Sequence, residues 1–343
     1  MSDVLIRKEA RAGRITLNRP SALNALTHAM CLEIEAAITN WASDEDVAHV
    51  MIDATGDRAF CAGGDIAEMY ATGTAGDFSY GRRFWQDEYR LNAKLKLYPK
   101  PIITFLNGFT MGGGVGLGCH AAHRIVCETS QISMPEVSIG LVPDVGGSLL
   151  LAHAPGQTGD YLALTAARMD AGEAIYAGFA DAYVPYAAWE GLKEEMAARG
   201  PDALPAHPAP EASLAARQAE ISHAFQGYTV GDILRALEKS ESPFSQDAAK
   251  RVSRHSPLGM AAGLEILRRL RSTDDITRAL ELEYRFTARS MEHGDFLEGI
   301  RAQIIDKDKS PNWRHSIDAL PSATVSKMLR PLGPDTLNLE DPA

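Results

Sequence analysis

Apolar positions in the first half of the chain recur in two rhythms, and the switches between them mark out the elements. Val4 to Arg7 and Arg14 to Leu17 are short extended runs, turned at Ala12-Gly13 and closed by Asn18-Arg19-Pro20. Thr27 then caps a predicted helix in which Met30, Ile34, Ala37, Ile38 and Trp41 recur at helical spacing, and Val47 to Ala54 returns to a strand. Asp65 and Glu68 are placed as an acidic capping box for the next helix, and residues 71 to 81 read as a Gly-rich loop. From about Arg82 to Tyr98, Phe84, Glu88, Leu91, Leu95 and Tyr98 fall on one helical face. Strands at 102 to 106, 124 to 127 and 131 to 133 alternate with helical pieces, and Tyr161 to Leu164 and Ala171 to Phe179 continue in helices. This alternation predicts an α/β domain.

A Pro-rich segment, residues 199 to 211, interrupts the pattern, and beyond it no strand is predicted. Ser213 to Phe225, Val230 to Ser240, Pro257 to Arg271, Ile276 to Met291 and Phe296 to Ile304 all read as helices. The expected organisation is therefore an α/β core over 1–198 that carries the active site, a linker or surface excursion over 199–212, and an all-helical region over 213–343.

Composition narrows the function classes. At 45% apolar and 23% charged, the 343 residues are those of a globular chain long enough to bury a sizeable core. A net charge of -11 argues against nucleic-acid and anionic-membrane partners, which need a positive field. Cys31, Cys61, Cys119 and Cys127 show no Cys-x-x-Cys or metal spacing, so reduced, buried thiols and a cytoplasmic location are expected. No charge occurs between Lys100 and Arg124, but Asn107, two histidines and six glycines make that stretch a buried strand, turn and helix rather than a membrane span.

The candidate chemistry lies in that stretch and just after it. Met111-Gly112-Gly113-Gly114-Val115-Gly116 matches neither the phosphate loop, since no lysine follows, nor the dinucleotide spacing. What remains is a strand passing through glycines into a helix start, where free N–H groups and the helix dipole favour negative charge. Together with N–H groups near Gly63-Gly64, it can cradle one oxyanion from two sides. Glu136 and Asp144 sit in a loop punctuated by Pro135, Gly140 and Pro143, where desolvation suits an acid to proton transfer. Spacing alone leaves open that Glu136 merely caps a turn and Asp144 caps the helix after Gly146-Gly147. Glu88, an acid in an apolar stripe, needs either an ion pair with an arginine such as Arg90 or Arg124, or a ligand. His120 and His123 lack a metal-type neighbourhood, and Cys119 beside His120 points about 100° away on a helix, so neither a metal nor a cysteine nucleophile is expected.

Four segments resemble the crotonase (enoyl-CoA hydratase/isomerase) superfamily: Leu17-Asn18-Arg19-Pro20 with Leu23-Asn24-Ala25-Leu26, Phe60-Cys61-Ala62-Gly63-Gly64-Asp65, Met111-Gly112-Gly113-Gly114, and Met134-Pro135-Glu136. Within it, Gly114-Val115-Gly116-Leu117, Pro143-Asp144-Val145-Gly146-Gly147 and the tail from His293 to Arg301 with Asp306 to Pro311 are similar to members that hydrolyse 3-hydroxyacyl-CoA thioesters. The resemblance spans about residues 4 to 315. It implies a crotonase-like spiral of ββα units with a helical C-terminal region, an acyl-CoA ligand, and assembly as a homo-oligomer. By position in the motifs, Gly64 and Gly113 would form the oxyanion hole, Glu136 and Asp144 would be catalytic, and Glu88, Gly113, Glu136 and Asp144 would bind substrate. No cofactor is implied, since coenzyme A is part of the substrate.

Two departures matter. Hydratases of the superfamily carry a second glutamate two residues after the third glycine, where this chain has Gly116, and a lysine two residues after Asp65, where it has Ala67. The first disfavours hydration of a double bond and the second removes a guide to the adenine contacts. Hydrolysis is the expected reaction, with enoyl-CoA hydration or isomerisation and a non-catalytic acyl-CoA-binding protein as the rivals.

Overall fold

The computed structural model describes residues 2–340, so residue 1 and residues 341–343, the outer ends of the expected domains, lie outside it. Its strands are β1 (Val4–Glu9), β2 (Ala12–Leu17), β3 (His49–Ala54), β4 (Ala59–Cys61), β5 (Ile102–Phe105), β6 (Phe109–Met111), β7 (His123–Val126), β8 (Gln131–Ser133) and β9 (Ala182–Tyr183). From β3 onward the chain alternates between two sheets. Odd-numbered strands join a six-stranded sheet ordered β1-β2-β3-β5-β7-β9, and even-numbered strands a three-stranded sheet ordered β4-β6-β8. Apart from the β1-β2 hairpin, every ladder is parallel. Strands β4, β6 and β8 are followed in the chain by helix Ala67–Thr74, helix Gly113–Gly118 and the 3-10 turn Glu136–Ile139. Each round is therefore strand, strand, helical turn, the ββα spiral that the resemblance implies.

The chain folds as two compact units, each assembled from separate segments. One comprises the residues up to Asp65, Asp87–Ser133 and Arg168–Ala215, and holds both sheets. The short middle strands β3 and β5 are buried almost from end to end because they are covered on both faces, as parallel strands must be. Met51, Ile103, Phe105 and Ile125 pack on one face against Trp189, Leu192 and Met196 of helix Trp189–Arg199. The other unit comprises Ile66–Gln86, Met134–Ala167 and the chain from Ala216 on. It is helical, with Pro257–Leu270 and Ile276–His293 supplying Leu258, Met260, Leu264, Ile266, Leu280, Leu282 and Phe286 to its core.

Several local expectations are corrected. The hairpin turns at Ala10-Arg11, with Ala10 at φ 51° and Ala12 already paired to Glu9, not at Ala12-Gly13. The expected loop over 71 to 81 is mostly helix, in Ala67–Thr74 and Ser79–Lys96. Two of its three glycines serve close packing: a Cβ on Gly73 would stand 2.8 Å from a Leu297 methyl, and one on Gly81 2.6 Å from the Met291 methyl. The Asp65 capping box does not form. Ile66 is the N-cap, without a side-chain cap, and Asp65 instead takes a hydrogen bond from Arg19 at 3.1 Å. Helices Pro243–Val252 and Ser322–Met328 were not foreseen.

Candidate active site

Two glycine turns meet in the sheet-bearing unit. The turn after β4 is tied to the chain before the first helix by a bridge between Leu26 and Gly64, with Leu26 N donating to Gly63 O (2.9 Å) and Asp65 N to Leu26 O (2.8 Å). These bonds skip the Gly64 N–H. The turn after β6 runs through Gly112, at φ 49°, into helix Gly113–Gly118, whose first amides have no intrahelical acceptor. That helix lies so close to β4 that a Cβ on Gly114 would stand 2.2 Å from Cys61 O, which only glycine permits. The same closeness brings residue 113 to the other turn: a Cβ there would be 3.3 Å from Gly64 N and 2.6 Å from Glu88 Oε1. Gly64, Gly113 and Glu88 are thus brought together, two glycine turns spaced as an oxyanion hole would require beside a buried carboxylate.

Glu88, 4% exposed, is set there by its helix, and neighbouring charges are engaged elsewhere. Arg90 grips Glu35 through two bonds (2.6 and 2.7 Å) and Asp87 through a third (2.9 Å), while Asp87 also meets His28 Nε2 at 2.6 Å. Arg124 is held by Asp181 and by the carbonyls of Cys119 and Gly178. Both arginines considered as structural partners for Glu88 thus bind other acids, Arg90 holding Glu35 and Asp87 and Arg124 holding Asp181.

Glu136 and Asp144 both lie in the helical unit, 4% and 5% exposed. Glu136 opens the 3-10 turn Glu136–Ile139 behind Pro135, and its carbonyl accepts from Leu141 N (3.0 Å). The turn is embedded in the C-terminal motif. A Cβ on Gly140 would meet Asp295 C at 2.5 Å, one on Gly299 would meet Ile139 O at 2.2 Å, and Ser256 N donates to Val137 O at 3.0 Å. Asp295 accepts from the Ser256 hydroxyl (2.7 Å) and from Arg314 N (3.0 Å), and Arg301 binds Glu298, Asp306 and Asp308. The tail motif thus builds the wall that carries Glu136. Met134 fills the space at Gly147, where a Cβ would stand 2.8 Å from its sulfur, so the segments bearing Glu136 and Asp144 pack together.

The helix after Asp144, Gly147–His153, has Gly146 as N-cap and no side-chain cap of its own, so Asp144 is not its cap. Its first amides go to Glu283, a fully buried acid of helix Ile276–His293 that sequence reasoning missed. Ile276, Leu280, Glu283 and Thr287 are four, three and four apart, the same pattern of an acid in an apolar stripe that drew attention to Glu88. Burial, and next the charge of Asp144, push the Glu283 carboxyl up to about 8.

The remaining candidates give no chemistry. Burial pushes the Cys61 and Cys119 thiols up to about 12, which leaves no thiolate for attack. Gly116 is buried within its helix, so the position of the hydratases' second acid carries no side chain at all. Among the described residues, no helix is long and apolar enough to cross a membrane.

The model of the enoyl-CoA hydratase/isomerase family matches residues 12–329. The chain is similar to the mitochondrial 3-hydroxyisobutyryl-CoA hydrolase of Gallus gallus, 34% identical over 98% of this chain and 91% of that protein. It is 36% identical to the corresponding protein of Rattus norvegicus, over 91% of this chain and 84% of that one. A crystal structure described as an enoyl-CoA hydratase from Rhodobacter sphaeroides 2.4.1 superposes with a TM-score of 0.96 and 57% identity, covering 98% of this chain and all of the other.

Proposed function

The chain belongs to the enoyl-CoA hydratase/isomerase family, and from that premise we propose that it is an acyl-CoA thioester hydrolase that converts 3-hydroxyisobutyryl-CoA to 3-hydroxyisobutyrate and coenzyme A, a step of valine breakdown. The observation that carries the reading is the meeting of Gly64 and Gly113 beside Glu88, a cradle for a thioester oxygen, in a chain whose position 116 is glycine. Similarity to 3-hydroxyisobutyryl-CoA hydrolases over nearly the whole chain supports the choice of substrate.

In the proposed mechanism the thioester oxygen accepts from the Gly64 and Gly113 N–H groups, which stabilise the negative charge formed on attack by roughly 3 kcal/mol per donor. Glu136 acts by one of two routes. Its carboxylate adds to the carbonyl carbon and expels the coenzyme A thiolate, and water then cleaves the mixed anhydride. Alternatively it takes a proton from water, the hydroxide adds to the carbonyl, the C–S bond breaks, and the proton passes to the leaving thiolate. Asp144 binds the substrate 3-hydroxyl or relays a proton, and a site that hydrogen-bonds a hydroxyl rejects acyl groups that lack one. Glu88 binds substrate beside the oxyanion hole. No cofactor or metal takes part in this scheme.

A cytoplasmic location belongs to the same reading and is supported by four free, buried cysteines, although the vertebrate relatives carry "mitochondrial" in their names. So does a homo-oligomer, supported by Leu5 and Ile6, about 40% exposed on the edge strand β1. Hydration of an enoyl-CoA is the rival that the Rhodobacter structure's description favours.

A three-substrate assay decides. Purified protein is given 3-hydroxyisobutyryl-CoA, 3-hydroxypropionyl-CoA or crotonyl-CoA, with free thiol and enoyl absorbance followed separately. Thiol release from the hydroxyacyl substrates alone is expected. Loss of the enoyl absorbance would make the protein a hydratase, and neither signal would leave an acyl-CoA-binding protein.

A further inference from the structure

Three donors on one short turn converge on a single carboxylate that water does not reach. Glu283, 0% exposed, accepts from Gly146 N on one oxygen (2.9 Å), and from Ser148 N (3.3 Å) and the Ser148 hydroxyl on the other. The turn they hold is costly. Val145 lies at φ 53° and Gly146 at φ 76°, and a left-handed conformation at a β-branched residue costs on the order of 1–3 kcal/mol and survives only where the surroundings impose it. Asp144 immediately precedes this pair, and its carbonyl accepts from Gly147 N at 2.7 Å. The direction of the Asp144 side chain is thus tied to a backbone conformation that an L-residue does not adopt by itself.

We propose that Glu283 is a positioning residue for the reaction, locking the strained turn Asp144–Ser148 so that the Asp144 carboxylate is aimed at the acyl group. The inference rests on the role given to Asp144 in the proposed hydrolysis. Glu283 itself touches no substrate in this scheme; its work is done on the backbone, from a different helix, 139 residues further along the chain. The three contacts explain why an acid is kept where a leucine would pack at lower cost. The two N–H groups can only donate, one to each oxygen, so both oxygens must accept; a protonated carboxyl still does so with its O–H turned to the Ser148 hydroxyl, whereas the isosteric glutamine is forced to turn its NH2 toward one of the N–H groups.

The test compares wild type with Glu283→Gln, Glu283→Asp and Ser148→Ala by two readouts. Amide hydrogen exchange over residues 144–149 needs no substrate, and thiol release from 3-hydroxyisobutyryl-CoA gives kcat and KM. Glu283→Gln is expected to exchange about tenfold faster in that segment alone. Its kcat is expected to fall by about 10- to 100-fold, with KM altered far less. Ser148→Ala, which removes one contact and keeps the fold if Glu283→Gln does not, should move both readouts the same way by less, and Glu283→Asp should recover part of the loss. Unchanged exchange in the turn overturns the proposal, and so does faster exchange with wild-type kcat. If wild type itself releases no thiol, it is the hydrolase reading that fails, and the exchange data still judge the clamp.

Discussion

Glu88 Oε1 stands 2.6 Å from the point where residue 113 would carry its Cβ, so the carboxylate occupies the space that a side chain at Gly113 would claim. Glycine at 113 is therefore a requirement of the site, and a backbone requirement does not explain it, because the positive-φ glycine of this turn is Gly112. Gly113→Ala is expected to push Glu88 away from Gly64 and disturb a hole donor. kcat should fall by about 10²-fold or more. Chemical denaturation should show a smaller effect, a loss of about 1–3 kcal/mol from the overpacked contact. Wild-type kcat in this variant would remove Gly113 from the site.

The opposite balance is expected at Gly140. Its φ of 80° and the 2.5 Å approach of a Cβ to the Asp295 carbonyl carbon make any side chain there both strained and obstructed by backbone. Gly140→Ala should lose roughly 2 kcal/mol or more of stability and displace the turn that carries Glu136. A urea midpoint equal to wild type would show that the turn is not held as described.

Stability should also report on Glu283 through pH. Its carboxyl, pushed up to about 8 by burial and then by Asp144, keeps its proton in the fold while the unfolded chain loses it near the ordinary value of 4.5. The folded state binds more protons across this window, so this group's contribution is fully present below 4.5 and is lost as pH rises through 8. Burial lowers His49 and His255, which act in the opposite sense over part of the window, so the difference between two proteins is the quantity to follow. Urea midpoints of wild type should decline from pH 5 to pH 8 relative to those of Glu283→Gln. Parallel curves would mean that Glu283 is ionised throughout.

The alternation of strands and helices, the all-helical tail and the glycine turns were legible in the sequence because each rests on local periodicity or on a local break in it. The helices over 71 to 81 were not, because Gly73 and Gly81 break propensity for the sake of packing against Leu297 and Met291, partners more than 200 residues away. Asp65 illustrates the same limit: its spacing to Glu68 satisfies a capping rule, but Arg19 offers a better partner once the chain is folded. Among the candidate residues, the motifs named Gly64, Glu88, Gly113, Glu136 and Asp144, and the structure adds the contacts around them: Glu88 against Gly113, Asp295 against Gly140, and Glu283 under the Asp144 turn. Those contacts join residues far apart in sequence, and the pattern of an acid in an apolar stripe is present at two of them, Glu88 and Glu283.

The central claim is that Glu136 performs thioester hydrolysis on a carbonyl held by Gly64 and Gly113, and Glu136→Gln tests it most directly. The amide keeps the size of the side chain and removes both its basicity and its nucleophilicity. With enzyme in excess over 3-hydroxyisobutyryl-CoA, free thiol is measured in a single turnover while binding of the thioester is followed by calorimetry. The account predicts binding close to wild type and no release of coenzyme A, whereas release at the wild-type rate would contradict it.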